Sequence, residues 1–183
     1  MLEFCYELPY EHLDFEDEDT NKLYRIGRGE QGVLLVRPYT NTICAHWKFR
    51  TPDVATKSAN KIYSMFIDYM AHGDFVGMDM CRKFLEMGFT RARRYANHHS
   101  GTKYNDDGSI KPQESDHWEC HYNQSAQIFK KMRDKAAYDP EYKRQRTIWR
   151  SNESTYATRV DALANASNVK RTRYSRKRNE VSR

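Results

Sequence analysis

The sequence has no long hydrophobic run, no CxxC pair and no Lys or Arg between Met1 and Thr20. The longest aliphatic stretch is Val33 to Val36, whereas a bilayer-spanning helix needs about 20 apolar residues. A membrane is therefore not expected as a partner. The first residues lack the basic and apolar regions of a signal peptide, so none is expected. Cys5, Cys44, Cys81 and Cys120 are far apart. That spacing argues against a disulfide scaffold and fits a reducing cytosol.

What is present is aromatic and unevenly charged. The 183 residues suit one domain with a tail, and 38% are hydrophobic. Thirteen Tyr, eight Phe and three Trp must supply much of the core. The formal net charge is +6, and its placement is informative. Met1 to Thr20 holds eight acids, while Asn168 to Arg183 holds seven bases and one acid. Over residues 1–167, the acidic start included, bases and acids balance at 24 each. An acidic start and a basic end suggest polyanion binding, with the acidic start free to compete for the same basic surface.

Local patterns predict an α+β domain over residues 1–150. Leu23 to Val36 reads as a β-hairpin turning at Gly27-Arg-Gly-Glu-Gln-Gly32, and Ile43 to Phe49 as a third strand. Four or five helices should pack on this small antiparallel sheet. Thr51-Pro52-Asp53 is a helix start, and the helix should run to about His72. Asp74 caps a second, from about Phe75 to Met87. Gly88 should end it in the left-handed conformation, and Thr90 should cap a short third helix. Ser100 to Gln113 is an exposed loop, Glu114 to Ala137 a long helix, and Asp139-Pro140 opens another to about Trp149. From residue 151 the chain reads as a basic, disordered tail, in which Tyr156 to Ala164 can be transiently helical and Lys170 to Arg183 is ordered only when something binds it.

Four segments are familiar together: Tyr24-Arg-Ile-Gly-Arg-Gly-Glu-Gln-Gly-Val-Leu-Leu-Val36, Trp47-Lys-Phe-Arg-Thr-Pro52, Asp74-Phe-Val-Gly-Met-Asp-Met80 and Arg82 through Asn97-His98. They resemble the signature of a family described as a domain of unknown function, whose members are short proteins of bacteria and tailed phages. The resemblance is close from Leu13 to His98 and thins towards Trp149. It implies a phage or bacterial cytoplasmic protein. It brings no activity, substrate or catalytic residues. The stretch after Ser151 falls outside the family pattern.

Candidate chemistry centres on Met87 to His99. Arg91, Arg93, Arg94, Asn97 and His98 form a dense set of hydrogen-bonding groups on a short element, suited to phosphates, carboxylates or base edges. The segment from Met80 resembles a helix-turn-helix, although Phe84 and Arg94 depart from that motif. The glycine turn could hold an anion on its backbone amides, with Arg28 at its tip, but it lacks a P-loop ending. His117, Cys120 and His121, with His98 and His99 elsewhere, are the candidate metal ligands, in an arrangement unlike any zincin. No metal and no cofactor is expected. Asp74, Asp79 and Glu30 are the acids a hydrolase would need to bring together.

The reading is a non-enzymatic nucleic-acid-binding accessory protein of a phage or bacterial cytoplasm. Arg28, Arg91, Arg93, Arg94, Asn97 and His98 would form the folded contact. Lys170, Arg171, Arg173, Arg176, Lys177 and Arg178 would add nonspecific attraction. One alternative is a protein–protein module, a virion component or an inhibitor of a host enzyme, docking an acidic partner. Another is a small enzyme acting on a phosphorylated substrate.

Overall fold

The structure, a computed structural model, describes residues 3–166. In chain order the helices are α1 (Glu18–Asn21), α2 (Tyr39–Cys44), α3 (Pro52–Ala71), α4 (Phe75–Asn97), α5 (His121–Ala137) and α6 (Pro140–Asn152). A 3-10 turn covers Tyr10–His12, and residues 157–166 are also helical. α3, α4 and α5 pack on one another, and α2 and α6 pack against α4.

The helix signals in the sequence work as local chemistry predicts. Thr51 Oγ1 accepts from the Val54 amide at 3.4 Å, and Pro52 opens α3. Ala55, Ala59, Ile62 and Phe66 recur at four, three and four residues, and all are buried. Gly73 takes a φ of 69° after the helix end. Asp74 Oδ1 then accepts from the Gly77 amide at 2.9 Å and opens α4. Asp139 caps α6 on the amides of Glu141 and Tyr142. Thr51→Ala should lower the unfolding free energy by about 1 kcal/mol, readable as a shifted urea midpoint at constant m.

α4 departs from the expected break at Gly88 and the separate short helix after Thr90. It runs unbroken for 23 residues, and the stretch 75–85 is buried throughout. A helix apolar on every side belongs in a core rather than at a surface. Gly88 lies inside it, not in a turn. A Cβ there would come within 2.3 Å of the Phe129 ring, so the glycine lets α4 and α5 close on each other. Thr90 is likewise mid-helix, with its hydroxyl bonded to the Glu30 carboxylate at 2.7 Å.

The expected α+β fold is corrected to an all-helical one. Among the described residues there is no sheet, only an isolated antiparallel bridge between Tyr104 and Ile110. Residues 24–26 form neither helix nor strand, and side chains at the end of α6 satisfy their backbone. Trp149 Nε1 donates to the Tyr24 carbonyl at 3.0 Å, and Arg150 donates to that of Ile26 at 2.7 Å. The Ile26 amide donates to Glu153 at 2.8 Å. Residues 27–36 then form successive turns, Gln31 to Arg28, Val33 to Glu30 and Leu35 to Gly32. Val33 and Val36 are buried while Leu34 is 52% exposed, which is not strand alternation.

The expected third strand is lost in the same way. Part of it is α2. Beyond that, Ser58 pins the His46 carbonyl and the Lys48 amide, and Trp47 Nε1 donates to the Phe84 carbonyl at 3.1 Å.

The long helix expected from residue 114 begins at His121, after turns at 115–119. Residues 157–166 are helical, close to the expected transient helix Tyr156 to Ala164, but they are part of the fold rather than a tail, with Val160 and Ala164 in the core. Asp161 there accepts from Arg25 at 3.1 Å. Residues 167–183 lie outside the described residues.

Candidate functional site

Three charged residues lie within the buried part of α4. Asp79, Arg82 and Lys83 are spaced at three and four, so they share one face. Asp79 is fully buried. Its Oδ1 accepts from Arg82 Nε at 2.8 Å and from the Tyr142 hydroxyl at 2.6 Å, and its Oδ2 accepts from the Tyr24 hydroxyl. Lys83 Nζ stands 3.8 Å from Oδ2 and donates to the Gln31 carbonyl at 2.7 Å. The rings of Phe4 and Tyr24 each lie 5.2 Å from that ammonium.

Burial and charge oppose each other in this cluster. Burial alone would push the Asp79 carboxyl up, but Arg82, Lys83 and the two hydroxyls outweigh it and hold it well below the usual carboxylate range. Burial pulls Lys83 down to about 8, against the attraction of Asp79. Burial also works against the Arg82 charge, and Asp79 more than restores it, so Arg82 stays protonated. Tyr24 and Tyr142 are both pushed up, by burial first and by the adjacent carboxylate second.

Arg82 carries this buried charge to a surface. It lines a cleft of about 650 Å³ together with the Gly27-Arg28-Gly29 turn, Tyr142, Lys143, Arg146 and Arg150. Its Nη2 lies 3.4 Å from the Gly29 carbonyl. Arg150 is held at the rim by Glu153 at 2.7 Å. Arg28, Lys143 and Arg146 have no carboxylate partner within 4.0 Å among the described residues. The lining thus contains five basic side chains and one acid, Glu3. Such an arrangement attracts anions and offers several convergent donors.

The structure separates the residues singled out from sequence. Arg28 lines the cleft, while Arg91, Arg93, Arg94, Asn97 and His98 do not. Arg93 is engaged within the fold. It donates to the His117 carbonyl at 2.9 Å, to Asn123 at 2.7 Å and to Asn97 at 2.6 Å, and its guanidinium lies over Trp118. His98 is buried, Arg91 half-buried and Arg94 exposed. Lys170, Arg171, Arg173, Arg176, Lys177 and Arg178 lie outside the described residues.

The three acids considered for catalysis have separate partners. Asp74 caps α4 and accepts from the Tyr39 hydroxyl at 2.7 Å, Glu30 accepts from Thr90, and Asp79 is enclosed. His117 Nδ1 is 2.6 Å from the Glu114 carbonyl, and Cys120 sits at the N-cap of α5. Among the described residues no group of three or more His, Cys, Asp or Glu is placed to hold a metal ion.

The pattern of one family, a domain of unknown function (DUF4385), matches residues 5–152. The chain belongs to this family. The match extends the resemblance seen in the sequence at both ends. It includes α1 to α6, the Asp79 cluster and all of the cleft lining except Glu3 and Phe4. No match was found to a curated protein or to a solved structure. No helix among the described residues is long and apolar enough to cross a membrane.

Sequence reasoning missed Arg82, Lys83, Tyr142, Lys143, Arg146 and Arg150. A signal for the first two was present. Three charges at helical spacing inside the apolar run 75–85 cannot all reach solvent from a core helix, so they must meet one another. The α6 residues carried no such mark, because basic residues on a polar helix usually face solvent.

Proposed function

We propose that the protein binds nucleic acid without chemistry, through phosphate contacts in the basic cleft between the Gly27-Arg28-Gly29 turn and α6. The observation that carries this reading is the convergence of Arg28, Arg82, Lys143, Arg146 and Arg150 on one concavity with a single acid. Arg25, Arg133 and Arg144 elsewhere in the fold are paired with carboxylates, as are Arg82 and Arg150 in the cleft, yet Arg28, Lys143 and Arg146 lack such partners among the described residues. Phosphate contacts of this kind give affinity and orientation rather than base selectivity. The basic segment from Lys170 would add long-range attraction by charge alone. On this reading the protein works in a bacterial cytoplasm, that of the host if a phage encodes it.

Salt dependence tests the reading. Each phosphate neutralised on a single strand contributes roughly 0.7 to the slope of log affinity against log salt. Arg28→Ala with Arg146→Ala should therefore reduce that slope by about 1.4 on the same counterion argument. Fluorescence anisotropy with a random-sequence oligonucleotide reads it. An unchanged slope would remove the cleft from the contact. Capture of an acidic protein, with no oligonucleotide binding at any salt, would favour the protein-partner alternative.

A further inference from the structure

We infer that the cleft is built for a phosphomonoester: the terminal phosphate of a nucleic-acid strand or the phosphate of a free mononucleotide. The inference rests on the phosphate-binding reading of the cleft and narrows its ligand.

Size is the first argument. A volume of about 650 Å³ falls in the range of small-ligand sites, roughly 300–1,000 Å³. It would hold a nucleotide-sized group. A duplex is a wide cylinder that needs an open basic surface, and it cannot enter such a cleft.

Charge is the second. The buried cluster behind the cleft holds one carboxylate, Asp79, against two cations, Arg82 and Lys83. One positive charge is left over beneath the floor. Buried charges are ordinarily paired, so an anion entering the cleft completes the balance. Arg28, Lys143 and Arg146 add cationic charge around the opening. An internal phosphodiester carries one negative charge and has both ester oxygens tied into a strand. A terminal phosphate carries close to two negative charges near neutral pH and enters end-on.

Preorganisation is the third. Arg82 is only 11% exposed, and Asp79 and Tyr142 fix its Nε at 2.8 Å each. Its guanidinium is therefore set before any ligand arrives, which lowers the ordering cost of binding. The Gly27 backbone lies against the same cluster. A Cβ there would sit 2.8 Å from Gln31 Cβ and 3.2 Å from Lys83 Nζ, so the glycine lets the turn close directly onto the buried ammonium.

The test uses the full chain and 3′-labelled single strands of one sequence, with and without a 5′-phosphate. Charge-assisted hydrogen bonds contribute enough that the phosphorylated strand should bind at least about tenfold more tightly. Arg146→Ala and Arg82→Lys should each bring the two affinities together. Circular dichroism reports whether Arg82→Lys folds; if it does not, Arg146→Ala carries the comparison. Competition by a nucleoside monophosphate at or below the concentration of unlabelled phosphorylated strand would assign the free nucleotide as the ligand. Weaker competition would assign the strand end.

Equal affinity for the two strands overturns this inference and leaves the nucleic-acid reading standing. A preference that survives both substitutions overturns the assignment to this cleft. No binding of either strand, of the nucleotide or of inorganic phosphate overturns both.

Discussion

Asp79→Ala should lower the unfolding free energy by about 3–5 kcal/mol, the loss seen when one partner of a buried ion pair is removed. At this chain length that corresponds to a melting temperature lower by about 6–20 °C. The change strands two buried cations, Arg82 and Lys83, and takes the acceptor from the Tyr24 and Tyr142 hydroxyls. Lys83→Met in the same background should recover part of the loss, because it removes one of the stranded charges. Thermal melts of the two single variants and the double variant give the coupling. A loss under about 1 kcal/mol would mean that the cluster opens to water, since only exposed pairs are worth that little.

Acid should reach the same cluster without mutation. The folded pKa of Asp79 lies below its ordinary value of 3.8. The stability it adds is therefore present above pH about 4 and is lost as pH falls towards the folded value. Lys83 works at the other end. Its folded value of about 8 lies below 10.5, so the unfolded chain binds more protons in that window. Stability should rise with pH from about 8. Above pH 10, Tyr24 and Tyr142 reverse the trend, because they keep in the fold protons that the unfolded chain releases. Urea titrations across this range would show a rise and then a fall. A flat profile would contradict the placement of Lys83.

Gly88→Val should drive α4 and α5 apart where they touch most closely. Even the first added carbon would lie within 2.3 Å of the Phe129 ring, which is itself fully buried. Overpacking of this kind costs about 1–3 kcal/mol. Phe129→Ala alone should cost about 3–5 kcal/mol through the cavity it leaves. The double variant should lose less than the sum, with a coupling of about 0.5–3 kcal/mol, because valine partly occupies the emptied space. Additive losses would instead indicate a strained backbone at residue 88, as in the helix-turn-helix reading, where the identity of residue 129 would not matter.

The sequence reading was accurate where a signal is contained in a few neighbouring residues. The caps at Thr51, Asp74 and Asp139 need only one side chain and an amide two or three residues away. The face of α3 needs only its own periodicity. The family was likewise legible from ungapped segments, and the comparison bears it out. The hairpin prediction failed for a non-local reason. Glycine turns flanked by apolar residues mark a reversal of the chain, but not what meets the backbone afterwards. Here that is Trp149, Arg150 and Glu153, more than 120 residues away in sequence.

The candidate site divides in the same way. Arg28 stands on a glycine turn, and it lines the cleft. Arg93 stands on an arginine-rich helix, and it is engaged by Asn97, His117, Asn123 and Trp118. Nothing local distinguishes the two, because a guanidinium is a free ligand or a structural brace according to what faces it.

By itself the sequence determined the helix starts at Thr51, Asp74 and Asp139, the family and the polarity of charge from the acidic start to the basic end, since each depends on adjacent residues or on simple addition. Only the tertiary structure decided that α4 is central and unbroken, that Asp79 is shared by Arg82, Lys83, Tyr24 and Tyr142, and that α6 brings its bases to the glycine turn. Those outcomes depend on which surfaces exclude water from one another. Burial is a property of the whole packed chain, and it sets both the conformation of a glycine and the value of a charge.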